Sequence, residues 1–255
     1  MADTQAQETV TKLYLPVAMK SSQSACLIGV QIEGDASRLT SYLGSNSLVI
    51  DHVYWSDCEP IRGEYTWPAD LDIDQAALQP WSVTLNVKSA PAWARVDGDA
   101  IPPSDRMMRP RPEHFSSYAR FVRAVVDRYH PFAVEIWNEP ESAAAFGLLG
   151  GFADDAAAYG QMVSLVRQAL QGTQTLIVAG ALAMGPSSTL FWDAAKQKCQ
   201  GCYDAVSYHS YVRHPSTSWG VIGTDATRLR LVGETGPLWC TETSYLVYDE
   251  ILTPE

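Results

Sequence analysis

Two glutamates in this chain stand out by the company they keep. Glu139 lies near the end of the run Glu135-Ile136-Trp137-Asn138-Glu139-Pro140, where an apolar stretch turns polar and meets a proline. Proline has no N–H to give to a strand ladder, so it marks a strand end. Glu242 closes a second run of the same kind, Pro237-Leu238-Trp239-Cys240-Thr241-Glu242. A single carboxylate at a strand end is an ordinary solvated loop residue. Two, at the ends of separate strands, fit cleavage of an acetal. One carboxyl protonates the leaving oxygen, and the other attacks the anomeric carbon or activates water. Glu139 is the candidate acid/base and Glu242 the candidate nucleophile. Glu135 comes earlier in its strand and reads as a barrel-interior or supporting residue.

A third segment lies between the two glutamates. Val206-Ser207-Tyr208-His209-Ser210-Tyr211 places His209 and Tyr211 at another strand end, where they could hold the nucleophile's hydrogen bonds and tune its charge. A strand histidine with a purely structural role is the plainer alternative. Trp55 and Glu59 sit in the aromatic, charged stretch 54–67, and Trp93 follows Ala90-Pro91-Ala92. Trp55 and Trp93 fit stacking on a sugar face and core packing equally well.

The elements that must position these groups alternate along the chain. Strands are predicted at 26–32, 48–54, 82–87, 132–137, 175–181, 204–209 and 237–241. Most are short continuous apolar runs, the pattern of parallel strands buried on both faces. Helices are predicted at 112–129, 154–171, 187–198 and 224–232. The first opens on Pro112-Glu113 and carries Phe115, Tyr118, Val122, Val125 and Tyr129 on one face. Gly172 is placed to close the second. Strand–helix alternation indicates an α/β fold with a parallel sheet, and in such barrels the C-terminal strand ends carry the chemistry. The loops at 94–111 and 141–153 are expected to wall a cleft.

In order, these segments resemble glycoside hydrolase clan A, and most closely its family 39, with the cellulase-like family 5 a near competitor. The motifs are Asn138-Glu139-Pro140 on the fourth predicted strand, Glu242 on the seventh, and His209-Ser210-Tyr211. A Trp, Glu-Pro, Gly, Glu-Tyr, Trp pattern follows the second. The resemblance implies a (β/α)8 TIM-barrel type and a retaining O-glycosyl hydrolase acting on a β-linked poly- or oligosaccharide. It makes Asn138 the holder of the sugar 2-hydroxyl, and Asn138, His209, Tyr211, Trp55, Trp93, Glu59 and Trp137 the candidate substrate-contacting set. It implies no cofactor and no metal. Two departures stand out. The clan's arginine near Val49 or Ile50 is missing from Leu48-Val49-Ile50-Asp51-His52, leaving His52 as the candidate substitute. Too few residues follow Glu242 for an eighth β/α unit, given helices of about 11–12 residues and strands of about 5–6. The barrel domain, 23–255, is thus expected to be C-terminally incomplete, either as a piece of a longer protein or as an open barrel. The alternative reading is a carbohydrate-binding remnant without turnover.

The bulk properties narrow the classes further. A net charge of −11 disfavours nucleic acid and anionic membranes as partners, leaving a carbohydrate as the expected one. No run approaches the roughly 20 apolar residues of a membrane span. Residues 1–22 read as a polar tether, and the chain as extracellular or cell-surface. Cys199-Gln200-Gly201-Cys202 is compatible with a surface disulfide in an exported protein, with inert thiols, or with a redox or metal pair. A second pair at zinc spacing is missing, and the redox reading explains none of the Trp and Glu placements. Oligomeric state is not encoded in these patterns.

Overall fold

The computed structural model describes residues 17–19, 27–31, 48–67, 81–96, 108–142, 151–211 and 218–243. Eight strands close into a barrel in chain order. They are β1 Val17–Met19, β2 Leu27–Gln31, β3 Leu48–Tyr54, β4 Ser82–Lys88, β5 Ala133–Ile136, β6 Leu176–Leu182, β7 Ala205–His209 and β8 Leu238–Glu242. Around them lie α1 Trp55–Cys58, α2 Phe115–Tyr129, α3 Ala156–Ala169, α4 Ser188–Lys196 and α5 Ser218–Leu231. The expected strands 26–32 to 237–241 are β2 to β8, and each pairs in parallel with the next.

This is the expected TIM-barrel type, and among the described residues no eighth β/α unit follows β8. The eighth place is nevertheless taken. β1 runs antiparallel between β2 and β8, with Val17 opposite Ile28 on one side and Cys240 on the other. An open barrel with free edges on the first and last parallel strands is therefore not what forms. The stretch 1–22, expected as a tether, contributes this closing strand.

Local sequence accounts for the helices. Pro112 sits at the start of a 3-10 turn that leads into α2, and His130 ends α2 in a left-handed conformation, its N–H bonded to the Val126 carbonyl. Asp155 caps α3 by accepting from Ala158 N at 3.0 Å. A Cβ on Gly160 would lie 2.1 Å from the Ala195 carbonyl oxygen, so glycine is what lets α3 press onto the end of α4. α5 begins six residues earlier than the 224–232 expected.

Strand side chains alternate between two environments. Val49, Val53, Leu85, Val87, Val134 and Ile136 belong to the large core beneath the helices. Burying such a side chain stabilises by about 1.5–3 kcal/mol. Residues of the opposite parity face the barrel axis. At the floor these are apolar: Ala133, Val178, Ala205 and Trp239 form a separate cluster. Trp239 stacks on Phe132 at 6.2 Å between ring centroids. Towards the strands' C-terminal ends the same face turns polar, with Thr84, Asn86, Lys88, Glu135, Ser207 and His209 all buried. A closed barrel with an apolar floor and a polar roof puts the chemistry at one end.

Candidate active site

Glu139 is set by the backbone beyond β5. Trp137 and Glu139 both adopt left-handed φ angles, 69° and 42°. Non-glycine residues rarely do so, and such strain concentrates at functional sites. The turn is tied to the neighbouring strands on both sides. Trp137 N donates to the Val87 carbonyl at 3.0 Å, and Glu139 N to the Ala181 carbonyl at 2.9 Å. The resulting reversal sends the Trp137 ring outwards and the Glu139 carboxyl over the barrel mouth.

Glu242 is set by a bulge. Tyr208 pairs with Cys240, but the next residue, His209, pairs with Glu242. The register shift brings Glu242, not Thr241, opposite His209, which is the re-aiming that bulges near active sites achieve.

His209 links the two glutamates. Its ring is fully buried, with Nδ1 3.0 Å from Oε1 of Glu139 and 3.5 Å from Oε2 of Glu242. The donor atoms of all three residues lie within 4.8 Å of one another. Tyr211 donates its hydroxyl to Oε2 of Glu242, and Ser142 Oγ to Oε2 of Glu139 at 3.1 Å.

The charges in this cluster follow from their neighbours. Burial works against a charged His209, yet Glu242, Glu139 and Glu135 together push the imidazole up to about 9. Burial likewise tends to raise Glu139, but the His209 hydrogen bond and charge, Ser142 and Lys88 hold it below the usual carboxyl value. Burial is also outweighed at Glu242, held low by His209, Tyr211, His52 and Lys88. His52 goes the other way: burial, aided by Lys88, takes it down to about 3, so it is neutral. Two carboxylates and a histidine are a possible cation-ligand set. Here His209 and Lys88 both favour the charged forms of the two glutamates.

The remaining expected site residues divide. Asn138 is half-buried and leaves its Oδ1 buried and unbonded beside Glu139 in the chain. Trp55, Trp137 and Glu59 are buried, and Trp93 is half-buried. Trp55 is fully buried, edge-on to Tyr118 and Trp93 and stacked on Phe121. Trp137 is fully buried between Tyr118 and Phe152. Neither ring has a face to offer a sugar. Glu59 is buried as the acceptor for Trp55 Nε1 at 2.5 Å and Gly63 N at 2.8 Å. Trp93 is half-buried, donates to the Glu59 carbonyl at 2.9 Å, and lies under the Arg62 guanidinium. The aromatic ring beside the carboxylates is Tyr211, 38 % exposed. The expected cleft walls fall partly on 97–107 and 143–150, outside the described residues.

Glu135 is buried, as the barrel-interior residue expected, while Glu141 and Lys88 went unread in the sequence. Glu135 accepts from Asn86 Nδ2 at 2.6 Å below the pair. Glu141, raised by burial, accepts from Ser188 Oγ at 2.5 Å. Lys88 ends β4 on the inner face. The alternation of strand faces was the available signal for Asn86, Lys88 and Glu135 alike. Cys199 and Cys202 form a disulfide, buried and not on the surface. Cys58 and Cys240 are free thiols pushed up by burial to about 12.

No protein-family model and no curated protein matches this sequence. Solved structures do. A family 39 glycoside hydrolase from Bacteroides cellulosilyticus superposes with a TM-score of 0.55 at 16% identity, over 79% of this chain and 45% of that one. An endo-β1,6-glucanase gives 0.47 at 17% identity, over 71% and 46%. A group II chitinase catalytic domain from Ostrinia furnacalis gives 0.47 at 13%, over 74% and 53%. The likeness to the family 39 structure shows a shared TIM-barrel fold. The chain spans under half the length of the first two structures. Among the described residues no helix is long and apolar enough to cross a membrane.

Proposed function

We propose that the protein is a retaining O-glycosyl hydrolase of β-linked poly- or oligosaccharides, with Glu139 as acid/base and Glu242 as nucleophile. One observation carries the reading: carboxylate oxygens of Glu139 and Glu242 lie within 4.8 Å of each other across His209. Retaining enzymes hold the two groups about 5–5.5 Å apart, whereas inverting ones need about 6.5–9.5 Å to admit a water.

In the resting site the mobile proton is on His209 and both glutamates are ionised. Sugar binding covers Glu139 and removes its remaining solvation, which draws the proton across the 3.0 Å hydrogen bond. Glu139 then protonates the leaving oxygen as Glu242 attacks the anomeric carbon. The glycosyl ester on Glu242 is released by a water that Glu139 deprotonates. Asn138, half-buried and next to Glu139, is the candidate partner for a sugar hydroxyl. The Cys199–Cys202 disulfide supports an extracellular or cell-surface location, because such bonds persist in oxidising compartments.

The test is hydrolysis of aryl β-glycosides and β-glucans by the wild type, Glu139→Gln and Glu242→Gln, with product configuration followed by NMR. Activity lost in both variants and a retained anomer support the reading. Inverted product overturns the mechanism. A second reading, a carbohydrate-binding protein without turnover, draws on the lack, among the described residues, of an eighth β/α unit after β8. It predicts sugar binding with no wild-type hydrolysis.

A further inference from the structure

The carboxyl of Glu139 projects from a turn that is pinned on several sides. Glu139 N donates to the Ala181 carbonyl of β6 at 2.9 Å, and Phe152 N to the Pro140 carbonyl at 2.6 Å. Ser188 Oγ, at the start of α4, donates to Oε1 of Glu141 at 2.5 Å, and both residues are buried. The turn closes through Ser142 N, which donates to the Glu139 carbonyl at 3.0 Å. With the backbone fixed, the freedom left to Glu139 is in its side chain.

Ser142 reaches back to that side chain. It is buried, and its Oγ lies 3.0 Å from the Glu139 carbonyl oxygen and 3.1 Å from Oε2. A serine hydroxyl has one proton to give. The carbonyl already accepts from Ser142 N, and an ionised carboxylate is the stronger acceptor. The proton therefore goes to Oε2. The two carboxyl oxygens then have different partners: Ser142 holds Oε2, and His209 Nδ1 faces Oε1 at 3.0 Å. Oε2 remains an acceptor when a proton arrives on Oε1, so the serine bond survives the transfer. Without it the carboxyl is free to turn about its last torsion, which is broad and two-fold in glutamate.

We propose that Ser142 is the positioning residue of the acid/base: it holds Oε2 of Glu139 and leaves Oε1 as the single oxygen that exchanges a proton with His209 and with the leaving group. The inference rests on the glycosidase reading of the same site. Ser142 acts through Glu139 and not through contact with the reacting atoms. Among the described residues, the other titratable groups about Glu139 are Glu141 in the same turn, His209 on β7, Glu242 on β8 and Lys88 on β4. Glu135 acts on His209 from β5.

The experiment compares wild type with Ser142→Ala, Ser142→Val and Ser142→Thr. Threonine keeps the hydroxyl, and valine has threonine's shape without it. Two readouts are taken: kcat/KM on aryl glycosides with poor leaving groups and on dinitrophenyl glycosides, and the Glu139 titration by NMR with 13C at glutamate Cδ. In Ser142→Ala and Ser142→Val, kcat/KM on poor leaving groups falls about tenfold while that on dinitrophenyl glycosides changes little. The Glu139 titration moves to higher pH by about 1. Ser142→Thr restores both. An unmoved Glu139 titration in a folded Ser142→Ala or Ser142→Val overturns the inference. So do equal losses on the two kinds of substrate, or threonine and valine variants that behave alike. It also falls if the alanine and valine variants both fail to fold while Ser142→Thr folds, since the hydroxyl is then structural. The NMR arm needs no turnover, so an inactive wild type would sink the glycosidase reading while the titration still decides whether Ser142 holds Glu139.

Discussion

Nδ1 of His209 lies 3.0 Å from Oε1 of Glu139, and the imidazole is wholly buried. Both partners favour their charged forms, so this bond ties folding to pH. His209, raised from 6.5 to about 9, stabilises the fold fully below 6.5, and that contribution is lost as pH rises through about 9. Glu139 and Glu242, both lowered from 4.5, stabilise it above that value, and their contribution is lost as pH falls through their folded values. His52, neutral in the fold, disfavours it increasingly as pH falls from 6.5 towards about 3. Tm is therefore expected to peak near pH 6.5 and to fall as pH rises from there to about 9 in calorimetric scans. His209→Gln should flatten the alkaline limb. A Tm unchanged from pH 7 to 10 in the wild type would contradict the assignment.

The two glutamates are expected to fail differently. Glu139→Ala loses about 10²–10⁴-fold in kcat on substrates with poor leaving groups. On dinitrophenyl glycosides, which need no acid for the first step, it should lose much less. Azide should restore its turnover by attacking the glycosyl–enzyme. Glu242→Ala should show neither behaviour. Equal losses on both substrate types would separate Glu139 from the acid role.

Trp55 gives a contrast between packing and binding. It is fully buried against Tyr118, Phe121 and Trp93. Trp55→Ala is expected to cost about 3–5 kcal/mol in urea unfolding. KM measured on the folded fraction should stay near the wild-type value. A raised KM with unchanged stability would put the ring back in the sugar site.

β1 is expected to matter out of proportion to its three residues. Deleting residues 1–19 leaves β2 and β8 with unpaired edges, which invite association with other chains. The deletion variant should elute as larger species in size-exclusion chromatography and unfold at lower temperature. A monomer of unchanged Tm would show that the barrel closes without it.

Much of this fold was legible because parallel strands buried on both faces are continuous apolar runs. The stretch 48–54 became Leu48–Tyr54, and 204–209 became Ala205–His209. Glu139, His209 and Glu242 were legible because each sits where such a run turns polar. β1 was not, since Val17-Ala18-Met19, though apolar, is only three residues long and does not stand out in the polar stretch 1–22. α5 was read short because Gly220 and Gly223, poor helix formers, fall in its first turns. The burial of Trp55 and Trp137 was not legible, because residue type at a strand end does not tell which way the side chain turns. At Trp137 a left-handed φ of 69° accompanies the outward ring. Lys88 and Glu141 carry charges that resemble surface residues until the face they occupy is known.

The direction of β1 has one more effect. Because it runs against its neighbours, Val17 lies alongside Cys240 near the barrel mouth and Met19 alongside Leu238 deeper down. The polypeptide thus comes into the barrel from the rim that carries Glu139 and Glu242. A purification tag, fluorophore or fused module attached just ahead of Val17 would begin its path on the rim of Glu139 and Glu242, whereas in a barrel whose first strand is parallel it would start at the opposite pole.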